Sequence, residues 1–117
     1  MTQSRFPLPP AEHHSAFCHF AKRVHERVGR DQDARAHWWR IITAINSSNL
    51  EVVEFMGRQK IKHRKIWRYH IPGVDRPIFV IFDHMAGIPI TLLINDRPMA
   101  CGSRGQRMII DGVIHGL

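Results

Sequence analysis

Lys65-Ile66-Trp67-Arg68-Tyr69-His70-Ile71, then Pro72-Gly73-Val74-Asp75, then Pro77-Ile78-Phe79-Val80-Ile81-Phe82-Asp83 is the stretch that decides the fold class. Side chains alternate across a strand with a period of two, which puts Trp67, Tyr69 and Ile71 on one face and Ile66, Arg68 and His70 on the other. The Pro-Gly pair that follows is turn chemistry, because proline presets its own φ and glycine accepts a positive one. The third piece is apolar on both faces, with Ile78, Val80 and Phe82 against Phe79 and Ile81, the pattern of a strand covered on both sides. Working outward, His84-Met85-Ala86-Gly87 turns the chain into a further strand over 88–95, where Ile90, Leu92 and Ile94 oppose Thr91 and Leu93. Asp96-Arg97-Pro98 closes it. Upstream, a β-rich run over 50–56 ends at Gly57. Short turns between consecutive strands predict an antiparallel meander.

Before residue 50 the period is helical. Phe17, Phe20, Ala21, Val24 and Val28 recur at i, i+3, i+4, i+7 and i+11, one apolar stripe with Ser15 as N-cap and Gly29 as stop. Asp31 or Asp33 caps a second helix with the stripe Ala34, Trp38, Ile41, Ile42 and Ile45, ending in the turn-forming Asn46-Ser47-Ser48-Asn49. Residues 1–14, with Pro7, Pro9 and Pro10, read as an extended arm. Residues 15–117 read as one globular domain. Helices first and a run of strands afterwards predict an α+β fold, two N-terminal helices packed on one face of a three- to five-stranded antiparallel sheet. The apolar piece at 108–117 is read as a short edge strand or helix.

The chain has 117 residues, 44% of them hydrophobic and 23% charged, the composition of a folded single domain and not of a disordered one. Its longest apolar run, residues 78–82, is far too short to span a bilayer, and the N-terminus lacks a signal-type apolar core; a cytoplasmic protein without membrane partners is expected. Cys18 and Cys101 match no metal or redox spacing and are read as reduced thiols. His14 and Cys18 are four apart, but no carboxylate or thiol follows at ligand spacing, so no metal and no cofactor is predicted.

Charge narrows the function. Seventeen Lys and Arg against ten Asp and Glu give a net charge of +7, and thirteen of the cations are arginine, whose planar fork suits bidentate phosphate contacts. Residues 57–70 hold six cations, two histidines, Trp67 and Tyr69, and no acid. Such a cluster fits several phosphates, and Trp67 or Tyr69 could stack on a base, although the continuation of their face as Ile71 favours packing both into the core. It fits equally a solvated edge strand whose charges block sheet-to-sheet association. Arg58, Lys60, Lys62 and Lys65 are the candidate nucleic-acid contacts here. On the first helix His19 and Arg23 join them, at i and i+4 on the polar side; an ordinary helix surface with an Arg23–Glu26 pair is the other reading.

Two helices, the basic strand at 64–70, and the apolar strands at 77–83 and 88–93 together resemble the RelE/ParE-like toxin superfamily. That superfamily is part of a wider group of small metal-independent ribonucleases that includes the colicin-type tRNA nuclease domains. Residues 20–29, Phe20-Ala21-Lys22-Arg23-Val24-His25-Glu26-Arg27-Val28-Gly29, are similar to the first helix of small RelE-like phage and plasmid proteins. The resemblance covers about residues 16–95.

It implies RNA, free or on the ribosome, as substrate, and attack of a ribose 2′-OH on the adjacent phosphate. Arg64 and Arg68 would hold the phosphate, supported by Lys62 or Lys65, with His63 or His70 as acid and base. Tyr69 would orient or stack, and Thr91 would be the polar residue on the neighbouring strand. Arg68 and His70, on one strand face, are the favoured pair. Arg97, Arg104 and Arg107 stand where the family often carries further catalytic groups, here in a glycine-rich context. The competing class is a non-catalytic protein that blocks an acidic host protein, or a chain held by a cognate antitoxin, through the same arginines. A DNA-binding repressor fits less well, since Trp38 and Trp39 occupy positions where base-reading side chains would stand.

Overall fold

The computed structural model describes residues 4–58 and 63–94, and the strands Met108–Ile110 and Val113–His115 as backbone. Two helices, α1 (His14–Arg27) and α2 (Ala34–Asn46), precede four strands, β1 (Val53–Arg58), β2 (Arg64–Tyr69), β3 (Ile78–Asp83) and β4 (Ile88–Ile94). The four form one antiparallel sheet in the order β1-β2-β3-β4, and the helices pack against it. The two later strands, β5 (Met108–Ile110) and β6 (Val113–His115), pair with each other in a separate ladder. Among the described residues no helix is long and apolar enough to cross a membrane.

The helix stripes behave as their spacing dictates. Phe20 and Val24 of α1 and Ala34, Trp38 and Ile41 of α2 are buried against Val53, Tyr69, Ile78, Val80, Phe82 and Leu92 of the sheet. Trp38 is the hub, with Phe17 and Phe20 meeting it edge-on at centroid distances of 5.4 and 5.6 Å. Asp33 is the cap of α2, its carboxylate accepting the Ala36 N–H at 3.2 Å. Asp33→Ala should cost about 1 kcal/mol in a urea melt, the usual worth of such a cap; an unchanged midpoint would remove it from the stability account.

Boundaries differ from the sequence expectation at three element ends. The arm is extended only through Pro10: Ala11–His13 is a 3-10 turn, and α1 starts at His14 with His13, not Ser15, at its N-cap. The Trp39 indole donates to the Pro7 carbonyl at 2.8 Å, which lays the arm along α2. β1 begins at Val53 and not at Leu50, because the Asn49 carbonyl accepts the N–H groups of Val52 and Val53 and holds the chain in a turn. Gly57 lies inside β1, next to a bulge, and does not end it. Ile71 and Val74 close the predicted turn (Val74 N to Ile71 O, 3.1 Å), with Pro72 at its second position and Gly73 at φ 81°.

β3 is buried at every position, as its two-faced apolar pattern requires of an inner strand. Its second face adds something the helices do not: Ile66, Phe79 and Ile81 form a separate buried cluster with Met56 and Leu93 around it. The helix-free face is therefore apolar at its centre. Its charged side chains, Glu54, Arg64, Arg68 and Asp83, lie toward the strand ends, while Thr91 stands level with Ile81 in the middle of β4.

Candidate functional site

Strand register separates the predicted residues into groups. Arg64 and Arg68 share the face of Ile66, away from the helices, but four residues of strand put their Cα atoms about 13 Å apart. Arg64 is level with Asp83 and Arg68 with Phe79. His63, in the turn before β2, belongs to the Arg64 end. His70 follows β2 at the Arg68 end, where its N–H donates to the Val52 carbonyl at 2.8 Å. Arg23 and His19 lie on α1, on the helix side: Arg23 pairs with Glu26 at 2.8 Å, and His19 Nε2 lies 3.3 Å from Thr91 Oγ1 on β4. The structure does not bring this helix edge into the surroundings of Arg64, Arg68 and His70. Arg58 is exposed at the end of β1. Lys60, Lys62, Arg97, Cys101, Arg104 and Arg107 lie outside the described residues; Cys18 is exposed on α1.

The stretch without acids in sequence acquires two in space. Glu54 of β1 stands opposite Arg68 in the ladder, and Asp83 of β3 stands opposite Arg64. Asp83 is the more consequential. It is buried, its Oδ1 accepts the N–H groups of Met85 and Ala86 at 2.9 and 3.0 Å, and its Oδ2 lies 3.4 Å from His63 Nε2 and 3.8 Å from Arg64 Nε. Burial opposes its charge, but the two backbone donors and the nearby His63 and Arg64 outweigh that and hold its carboxyl below the usual range. Asp83 is thus an ionised anchor between the β3–β4 turn and the start of β2. Gly87, at φ 74°, lets that turn close, its N–H donating to the Asp83 carbonyl at 2.7 Å. Arg64 Nε is buried without a hydrogen-bond partner among the described residues. Its ion-pair partner among the described residues is Asp83.

The helix-bearing face at this same end of the sheet carries aromatic rings. Phe55 and Trp67 are cross-strand partners with centroids 5.6 Å apart. The Trp67 indole donates to His84 Nε2 at 3.0 Å. The Lys65 ammonium lies 5.8 Å from the Phe55 ring centre. His84 in turn donates its backbone N–H to the His63 carbonyl at 2.8 Å, linking the rings to the acid–base end.

A second polar constellation is buried under α2. Tyr69 O–H donates to His37 Nδ1 at 2.6 Å, and His37 Nε2–H donates to Gln32 Oε1 at 2.7 Å. Arg40 donates to the Tyr69 oxygen at 3.4 Å and covers its ring at 5.3 Å. Burial, helped by the Arg40 charge and opposed by Asp33, takes the His37 pKa down to about 4; burial likewise takes Tyr69 up to about 12 against the pull of Arg40. Sequence reasoning missed this network. Its signal was present: His37 stands three after Ala34 and four before Ile41, within the apolar stripe. A cleft of about 400 Å³ opens elsewhere, between Phe6 of the arm, Trp39, Arg40 and Thr43 of α2, and Val52; no predicted site residue lines it.

These observations define an α+β protein with two helices on a four-stranded antiparallel meander and a cationic β1–β2 hairpin. No family model, curated protein or solved structure matches the chain.

Proposed function

We propose that this is a small basic protein that binds RNA along its β1–β2 hairpin and cleaves it without a metal ion, using His63, Arg64 and Asp83. The observation that carries the reading is an ionised, buried Asp83 beside His63 and Arg64, at the end of the most cationic strand. Asp83 Oδ2 faces His63 Nε2, which leaves Nδ1 to accept a proton. In the proposed step the ribose 2′-OH attacks the adjacent phosphorus and gives its proton to His63 Nδ1. The phosphorus–5′ oxygen bond breaks, leaving a 2′,3′-cyclic phosphate, and His63 returns the proton to the departing 5′ oxygen. Histidine suits that exchange because its unperturbed pKa is near neutrality. The outer nitrogens of Arg64 offset charge building on the phosphoryl oxygens. Asp83 is a positioning residue, holding His63 and Arg64 in place.

The reading shifts the acid–base role from His70 to His63, because Asp83 faces His63 while no side-chain hydrogen bond orients His70 among the described residues. The test is incubation of purified protein with total RNA and with translating ribosomes, in chelator. Fragments ending in cyclic phosphate are expected. Intact RNA in both would overturn cleavage and leave a purely binding protein.

Binding should be steeply salt-dependent, since each neutralised phosphate of a single strand contributes a slope of about −0.7 in log K against log salt. Arg58→Ala and Lys65→Ala should each make that slope shallower by about the same amount. A slope near zero in the wild type would point to an apolar protein partner.

A further inference from the structure

We propose that Phe55, Trp67 and His84, rimmed by Arg58 and Lys65, form a stacking platform for unpaired bases of single-stranded RNA. The inference rests on the RNA reading above and names the part of the ligand this surface takes.

Phe55 lies on the same face as the helix-packed Val53 and Tyr69, yet it is 47% exposed: the helices leave this end of the face uncovered. Burying a phenylalanine there would cost the fold nothing in pattern, so its exposure is a property of the surface. Trp67 spends its indole N–H on His84, so the half-buried side chain offers a neighbour its π-surface. The same bond holds the two rings at 32° to each other, closer to coplanar than the 74° between Phe55 and Trp67. Three rings, 5.6 and 5.8 Å apart in sequence Phe55–Trp67–His84, make a stepped row.

Charge chooses the occupant. Arg58 and Lys65 are register partners on the ring-bearing face, and Lys65 already sits over Phe55. The acids of these strands are elsewhere: Glu54 is level with Arg68 and Asp83 with Arg64, on the opposite face. A ligand that presents flat π-faces and repeated anionic groups matches rings and cations together, and an unpaired nucleic acid strand is that ligand. A duplex hides its base faces and does not. The row also ends at His84, whose backbone N–H donates to the His63 carbonyl, so a strand stacked on it runs to the end of the sheet and passes around that end to reach Arg64 and Asp83 on the other face.

The experiment measures anisotropy of a fluorescein-labelled single-stranded oligoadenylate and of an RNA duplex of equal length, both 2′-O-methylated against cleavage. Proteins compared are the wild type, Phe55→Ala, Phe55→Leu and Phe55→Tyr. Because Phe55 is exposed, all three variants should fold, as circular dichroism checks. Phe55→Ala and Phe55→Leu should each weaken single-strand binding by about 10-fold, with the duplex unaffected and Phe55→Tyr close to wild type. Leucine keeps apolar bulk without a π-face, so retained binding in Phe55→Leu would overturn stacking, and equal losses on single strand and duplex would do the same. If every variant binds the single strand like wild type, the platform fails while the RNA reading stands. If wild type binds neither RNA at low salt, the RNA reading itself fails, and the rings then belong to a protein contact.

Discussion

His63→Ala is expected to lower RNA cleavage by about 100-fold or more, the range for loss of a general acid–base group, while binding changes little. His70→Ala should leave both nearly unchanged. The contrast follows from where each histidine is held: His63 faces a buried carboxylate at 3.4 Å, whereas His70 sits past the end of β2, six residues beyond Arg64. Asp83→Asn should fall between them, because an amide replaces the carboxylate that faces His63 and pairs with Arg64. Arg64→Ala should weaken both cleavage and phosphate binding, since its side chain carries charge to the same place. Single-turnover cleavage and filter binding on the same preparations separate the two effects. A fully active His63→Ala, or a dead His70→Ala, would move the acid–base role back to the Arg68 end.

The second large effect is loss of stability in acid. His37 is neutral in the folded protein with a pKa near 4, whereas in the unfolded chain it titrates near 6.5. Between those values the unfolded state binds the extra proton, so stability rises with pH and is lost as pH falls from about 6.5 toward 4. The shift corresponds to about 3 kcal/mol at the acid end, a large share of the 5–15 kcal/mol typical of a domain. His84, lowered by burial and by Lys65 against Asp83, pulls the same way. Asp83, held below its usual range, contributes stability that is also lost on acidification through its folded pKa. Urea midpoints should therefore fall steadily between pH 7 and pH 4.5, and His37→Gln should flatten that fall while lowering stability at pH 7. A midpoint indifferent to pH over this interval would show that His37 is not the buried neutral group described.

Much of the architecture is local enough to read from the chain. Phe17, Phe20, Val24 and Trp38, Ile41 recur at helical spacing, and amphipathic stripes of that width have one way to be buried. Residues 78–82 are apolar at every position, which only an inner strand satisfies. Pro72-Gly73 requires a turn whatever packs around it. The errors at element ends have different causes: at His14 and Val53 the Pro10 and Asn49 carbonyls hold local turns by accepting N–H groups three or four residues on, whereas the bulge beside Gly57 is set by pairing with β2.

The site was legible as residue types and not as partners. The run from Arg58 to His70 announces cations, histidines and rings in its own letters, and its alternation already separates Tyr69 from Arg68. Which cation meets which acid depends on ladder register, and one residue of slip would exchange the faces of β2 wholesale. Asp83 is twenty residues from His63, His37 thirty-two from Tyr69 and His84 seventeen from Trp67, and no periodicity connects them. Sequence alone determined the stripes, the turns and the excess of positive charge, because each is set by residues within one helical turn or one strand. The tertiary structure alone decided that Asp83 stands between His63 and Arg64, that Arg68 stands apart from them, and that a tyrosine and a histidine share a buried hydrogen bond, because those pairings exist only once register and helix docking set distant side chains face to face.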